Sequence, residues 1–152
     1  MTEARINIYK HVDMKSLESK LSKADPNKLK MIVTDGVFSM DATVCPLPGL
    51  RRLADQYGAI LVLDECHATG VIGATGRGTE EHFNMIGAAD IINSTLSKAL
   101  GGANCGYTAG PAYLISLLRK GSRPFFFAAA VNPVSAACAG KALDLIMDDQ
   151  SR

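Results

Sequence analysis

The sequence predicts an α/β fold, a three-layer α/β/α arrangement with a mostly parallel sheet covered by helices on both faces. Two short apolar runs, Leu29–Thr34 and Ala59–Leu63, have strand length and are stopped abruptly by Asp35 and Asp64. A third run, Ala88–Asn93, repeats the pattern. Amphipathic segments of helical spacing accompany them, and strands alternating with helices imply parallel neighbours joined by crossovers.

Each element has its own justification. Met14–Ala24 sets Met14, Leu17 and Leu21 on one helical face, and Pro26-Asn27 closes it. Leu29–Thr34 is the first strand. Leu47–Tyr57 returns to helical spacing, with Pro46 and Pro48 near its start and Gly58 at its end. Ala59–Leu63 is a continuous apolar run, expected to be a strand buried on both faces. Gly70–Gly78 is a glycine-rich loop whose glycines at 70, 73, 76 and 78 match neither a dinucleotide fingerprint nor a P-loop, so they are assigned to tight turns. Ala88–Asn93 gives the third strand and Cys105–Ala109 a fourth. Tyr113–Lys120 and Val134–Met147 follow as helices, with no internal repeat or low-complexity linker.

Composition narrows the function. A chain of 152 residues suits one domain with a substantial core. With 16 basic and 15 acidic residues and no block of like charge, nothing favours a nucleic-acid backbone or an anionic membrane, which leaves small-molecule chemistry. Cys45, Cys66, Cys105 and Cys138 form no C-x-x-C pair, which suggests neither a zinc knuckle nor a disulfide framework and fits a reducing compartment. Met1–Lys10 has no apolar signal core, and no run approaches the ~18 apolar residues of a membrane span. The chain is expected to be soluble and intracellular.

In a parallel α/β sheet, ligands collect outside the carboxyl ends of the strands. That rule brings Asp35 to Ser39, Asp64 to His67 and Thr95 to Lys98 to one edge. Each residue also has an ordinary explanation: Lys98 as a surface charge, Asp64 as the cap of the next turn, His67 as a structural histidine. Asp64-Glu65-Cys66-His67 resembles a set of metal ligands, but a site needs three or four suitably directed side chains and no partner set follows, so no metal is expected. Thr95 stands three residues before Lys98, where acyl-transferring hydrolases of the Ser-x-x-Lys kind have serine, and their companion motifs are missing. Pyridoxal phosphate accounts for more of the set than any rival. Its aldehyde needs a lysine, which Lys98 supplies. Its ring nitrogen needs a carboxylate to stay protonated, which Asp64 supplies. Ser39 and His67 are candidates for its phenolic oxygen, and Thr95 for its phosphate.

Four collinear segments carry a resemblance: Thr34-Asp35-Gly36-Val37-Phe38-Ser39-Met40-Asp41, Asp64-Glu65-Cys66-His67-Ala68-Thr69-Gly70, Gly76-Arg77-Gly78-Thr79 and Thr95-Leu96-Ser97-Lys98-Ala99-Leu100-Gly101-Gly102. Together they resemble the α-oxoamine synthases, fold-type-I pyridoxal-phosphate enzymes that condense an amino acid with an acyl-CoA. Ile91-Ile92-Asn93-Ser94-Thr95-Leu96 and Gly106-Tyr107-Thr108-Ala109-Gly110-Pro111 add weight to the branch that uses glycine. The resemblance implies glycine and acetyl-CoA as substrates, 2-amino-3-oxobutyrate and CoA as products, and a homodimer. It implies that Lys98 forms the Schiff base and then removes the α-proton, that Asp64 partners the ring nitrogen, that Ser39 and His67 contact the phenolic oxygen, and that Thr95 contacts the phosphate. Lys98 and His67 are the residues it makes catalytic. The implied compartment is the mitochondrial matrix in a eukaryote and the cytoplasm in a bacterium.

The chain also departs from the family. Residues 1–152 are expected to be part of the cofactor-binding large domain, without the segment that supplies the phosphate-binding turn and ring-stacking aromatic residue, and without the small C-terminal domain with its carboxylate-binding arginine. Ala128-Ala129-Ala130 stand where hydroxyl residues usually reach the neighbouring subunit's phosphate, Ser97 replaces a common glycine, and Asn104-Cys105 replaces a common Ser-Gly pair. A non-catalytic chain that keeps the fold and the subunit contact surface is therefore an alternative, as is a synthase using a different acyl-CoA or amino acid.

Overall fold

The computed structural model describes residues 4–101 and 104–148, so Met1 to Glu3 and Gly102 of the Thr95–Gly102 motif lie outside the described residues. Helix α1 (Met14–Leu21) starts at Asp13, whose carboxylate accepts the Ser16 N–H at 2.9 Å. Strand β1 (Lys30–Asp35) leads into a small antiparallel hairpin, β2 (Val37–Phe38) and β3 (Thr43–Val44). Helix α2 (Leu47–Tyr57) has a proline in its first turn and ends on Gly58 in the left-handed conformation (φ 59°), whose N–H bonds back to Ala54 and Asp55. Strand β4 (Ala59–Asp64), the short helix α3 (Thr79–His82), β5 (Ile91–Thr95) and β6 (Gly106–Ala109) come next. Helices α4 (Ala112–Gly121), α5 (Arg123–Phe127) and α6 (Pro133–Asp148) complete the order.

The main sheet runs β1-β4-β5-β6, with β1, β4 and β5 parallel and β6 antiparallel to β5. This is the mostly parallel α/β sheet expected from the sequence. Strand β6 reverses direction because the connection from Leu96 to Cys105 is too short to hold a crossover helix. The hairpin and helices α3 and α5 have no counterpart in the sequence reading, since each is too short to show a period.

The core lies on one face of the sheet. Leu47, Leu50, Leu53 and Ala54 of α2 are fully buried against Leu61 and Leu63 of β4 and Ile32 of β1, with Leu17 and Leu21 of α1 packed behind. Cys45 is also sealed in this core, and burial pushes its thiol up to about 12. Strand β4 is not buried equally on both faces, which corrects the sequence expectation for Ala59–Leu63. Ala59, Leu61 and Leu63 are buried, while Ile60 and Val62 are only half-buried. On β1, Met31 and Val33 are 51% and 62% exposed, so the second face of the sheet presents apolar side chains. The continuous apolar run suits two covered faces, but Ile60 and Val62 on the second of them are left half-buried.

Carboxylates organise the long connection from β4 to β5. Glu65, 2% exposed, accepts the Thr79 N–H at 2.7 Å and the Thr79 hydroxyl at 2.6 Å. Glu80 accepts the N–H groups of Gly87 and Ala89, and Glu81 those of Thr75 and Arg77. The glycine-rich loop closes on itself through Gly70 N–H to Gly76 and Gly78 N–H to Ile72. Gly78 has φ 87°, and a Cβ there or at Gly36 would collide with the Glu65 carboxylate. The assignment of these glycines to tight turns holds for all four, each at positive φ.

Burial raises the Glu65 pKa above its ordinary value, and the Thr79 bonds only partly offset it. A carboxyl whose folded pKa exceeds its unfolded one binds a proton more tightly in the native state. Its stabilising contribution is therefore complete below the unfolded value of 4.5 and is lost as pH rises through the folded value. Glu65→Ala is expected to lower stability by ~3 kcal/mol, because two buried donors on Thr79 lose their acceptor. Denaturant unfolding measures this, and a loss below ~1 kcal/mol would show that the loop is held by other contacts. In Glu65→Gln, the fall in stability from pH 4.5 upward that this group causes should be missing.

Candidate active site

Register fixes the site. In-phase parallel pairing sets Asp35 opposite Asp64 and Asp64 opposite Asn93, and the antiparallel pairing of β5 with β6 sets Asn93 opposite Thr108. Paired residues share a face, so Asp35, Asp64, Asn93 and Thr108 form one transverse row across all four strands. The row lies at the carboxyl ends of β1 and β4 and at the middle of β5, on the face opposite α2.

Asp64 is the best-held member. Its Oδ1 accepts the Cys66 N–H at 2.9 Å, and the Cys66 thiol and the Asn93 side chain also bond its carboxylate. Partial burial alone would raise its pKa, but these bonds and the positive charge of Lys98 outweigh it and hold the group below the usual carboxylate range. Asp35 shifts the other way, raised by burial and by Asp64, with His67 and Lys98 opposing. The Cys66 thiol is pushed up to about 11, by burial first and then by its bond to Asp64. The two adjacent carboxyls are thus shifted in opposite directions, Asp64 downward and Asp35 upward.

The turn after β4 carries His67. It is pinned by Ala68 and Thr69 N–H bonds to the Glu65 carbonyl, by complete burial of Ala68, and by the Thr69 hydroxyl, which meets Ser94 Oγ at 2.8 Å. Half-buried His67 lies close enough to Asp35 to act on its charge. Lys98 sits exposed in the turn after β5, where its charge acts on Asp35, Asp64 and Cys66. That turn is anchored by buried Leu100 and by Gly101 N–H to the Lys98 carbonyl. Gly70 of the glycine-rich loop packs so closely that a Cβ would stand 3.1 Å from Ala99 and 3.2 Å from Leu100.

Thr95 ends β5, its hydroxyl donating to the Cys105 carbonyl at 3.1 Å and meeting Ser97 Oγ at 2.6 Å. The Ser97 that replaces a common glycine thus adds a second hydroxyl beside Thr95. Ser39 is exposed in the turn between β2 and β3. Of the five residues singled out in the sequence, Asp64, His67 and Lys98 share one electrostatic cluster, Thr95 lies at the same sheet edge, and Ser39 stands on the neighbouring hairpin turn. Asp35, Cys66, Asn93 and Thr108 join the site without having been assigned roles. A shared signal exists for Asp35, since it ends an apolar strand run as Asp64 does.

The donor set suits a pyridine cofactor with an aldehyde and a phosphate: an ionised carboxylate, an exposed amine and paired hydroxyls. Among the described residues, no group of three or more His, Cys, Asp or Glu side chains is arranged to hold a metal ion, and no helix is long and apolar enough to cross a membrane. All four cysteines are free. Ala128 to Ala130 follow α5 and are exposed.

Comparison with known proteins agrees with this architecture. The family described as aminotransferase class I and II matches residues 2–149. The mitochondrial 2-amino-3-ketobutyrate coenzyme A ligase of Mus musculus is 52% identical over 143 residues, covering 94% of this chain and 34% of that protein. A putative 8-amino-7-oxononanoate synthase of Bacillus licheniformis is 46% identical over 152 residues, covering 100% of this chain and 39% of its own length. The solved serine palmitoyltransferase of Sphingomonas wittichii superposes with a TM-score of 0.85 at 27% identity, over 91% of this chain and 35% of that one. A serine palmitoyltransferase structure containing pyridoxal phosphate gives the same TM-score, 0.85, at 28% identity. The chain spans 33–39% of the length of the relatives it matches. Profile, relatives and fold agree that the chain belongs to the aminotransferase class I and II family of pyridoxal-phosphate enzymes, on its α-oxoamine synthase branch.

Proposed function

We propose that this chain forms the sheet-edge part of the cofactor site of a glycine C-acetyltransferase, within a partial large domain, and that the whole enzyme condenses glycine with acetyl-CoA to 2-amino-3-oxobutyrate and CoA. The observation that supports this most is the convergence of an ionised Asp64, His67 and Lys98 at the carboxyl ends of parallel strands. The 52% identity to 2-amino-3-ketobutyrate coenzyme A ligase supports the choice of substrates, and with it a place in threonine breakdown.

When bound, pyridoxal phosphate supplies an electron sink for charge developing at the α-carbon of the amino acid. Asp64 would hold a proton on the ring nitrogen, which its lowered pKa suits, since an acceptor that stays ionised at neutral pH favours the cation beside it. Lys98 would bind the aldehyde carbon covalently and move the α-proton of glycine. His67 and Ser39 would donate to the phenolic oxygen, and the Thr95 hydroxyl would bind the phosphate. The exposed run Phe125 to Phe127 offers an apolar surface suited to a second subunit, beside the alanines where the resemblance places the neighbour's phosphate contact. A homodimer follows, acting in the mitochondrial matrix or the bacterial cytoplasm.

A second reading rests on the 46% identity to a putative 8-amino-7-oxononanoate synthase over the full length of this chain. It keeps the site and changes the acyl donor for a longer one, or the amino acid, or both.

Three measurements test the proposal. Borohydride reduction in the presence of pyridoxal phosphate, followed by peptide mapping, should label Lys98, and a label on another lysine would overturn the assignment. Asp64→Asn should leave the unfolding midpoint nearly unchanged while slowing exchange of the glycine α-proton with deuterated solvent about a hundredfold, or ~3 kcal/mol, as for the loss of one preorganised electrostatic contact. Equal exchange in mutant and parent would make Asp64 merely structural. Glycine-dependent release of thiol from acetyl-CoA should be slow or absent in the isolated chain. Turnover of ~1 per second or faster would show that these residues suffice. Preference for a longer acyl-CoA in the whole enzyme would favour the second reading.

A further inference from the structure

The reading of Asp64 as partner of the ring nitrogen leaves open what aims its carboxylate. A carboxylate rotates freely unless its lone pairs are engaged, and a partner misplaced by an ångström forfeits much of its effect. Cys66 engages Asp64 from its own turn, through the N–H at 2.9 Å and the thiol. Asn93 engages it from the neighbouring strand, in register. An asparagine amide can present either its oxygen or its NH2, and only the NH2 donates to a carboxylate. In the structure the Thr108 hydroxyl donates to Asn93 Oδ1 at 3.3 Å, so the amide oxygen is engaged by β6 and the NH2 is left for Asp64.

Resting on that reading of Asp64, we propose that Asn93, oriented by Thr108, is a positioning residue that fixes the Asp64 carboxylate for the cofactor's ring nitrogen. Asn93 and Thr108 are both exposed, so the core does not explain polar side chains at these two positions. The need for a donor is evident in the row itself. Asp35 faces Asp64 from β1 with like charge, and Lys98 opposes it from the turn after β5, with His67 acting on Asp35. A hydrogen bond from Asn93 favours the charged form of Asp64 and disfavours a proton shared with Asp35. The antiparallel turn of β6 makes the arrangement possible, because it returns Thr108 to the register position of Asn93.

The test begins on the chain without cofactor. The Asp64 carboxyl is followed by carbon NMR as pH is varied, with Asp64→Asn to assign the signal. Asn93→Leu should move the Asp64 midpoint upward, Thr108→Val should do so by less, and Thr108→Ser should restore the parent curve. Identical curves for the parent and Asn93→Leu would overturn the inference. Unchanged unfolding midpoints separate positioning from folding, as expected for substitutions at exposed sites. Titration with pyridoxal phosphate then provides the second reading. Asn93→Leu should weaken binding roughly tenfold, the size expected for one hydrogen bond to a charged group. If Asp64→Asn weakens binding and Asn93→Leu does not, the positioning role alone fails. If Asp64→Asn binds as tightly as the parent, the reading of Asp64 fails and the inference with it.

Discussion

Strand parity is the constraint on which core and site both depend. Because β1 and β4 pair in phase, burying Ile32, Leu61 and Leu63 against α2 forces Asp35 and Asp64 onto the opposite face. A slip of one residue would exchange the two sets. Each of those apolar side chains contributes about 1.5–3 kcal/mol when fully buried, whereas a hydrogen bond within the site contributes about 1 kcal/mol. Packing therefore decides the register, and the site is displayed as a consequence. The chemistry at the sheet edge need not stabilise the fold.

The β4–β5 connection shows the complementary strategy. Little regular structure spans it beyond α3, and carboxylate side chains take up backbone N–H groups that a helix would have paired internally. Glu65 is central because it follows Asp64 directly. Alternation sends the Asp64 side chain to the ligand edge and that of Glu65 into the interior, where Thr79 meets it. One dipeptide thus supplies the site's carboxylate and the clasp of the loop packed against the Lys98 turn. The close approach of Gly70 to Ala99 and Leu100 couples that loop to the lysine.

Much of this was legible in the sequence. Runs ending in Asp35 and Asp64, the leucine spacing of α2 between proline and Gly58, and the position of Lys98 after β5 are local signals. They locate the strand ends where a ligand would bind. Other features are products of tertiary arrangement. The direction of β6 depends on the length of its connection, and the pairing of Thr108 with Asn93 depends on that direction. The hairpin and helices α3 and α5 are too short to carry a period. The apolar continuity of Ala59–Leu63 suggested two buried faces, whereas Ile60 and Val62 on one of them are only half-buried. Polar residues such as Asn93 and Cys66 have no signature of their own and become interpretable only when register sets them beside Asp64.

The central claim is that the sheet edge presents an ionised carboxylate to a pyridine nitrogen. Nitrogen NMR of pyridoxal phosphate labelled at the ring nitrogen and bound to this chain tests it most directly, since the shift separates protonated from neutral nitrogen. A protonated nitrogen at neutral pH in the parent, turning neutral in Asp64→Asn, is the result the account predicts. The same protonation state in both proteins would contradict it.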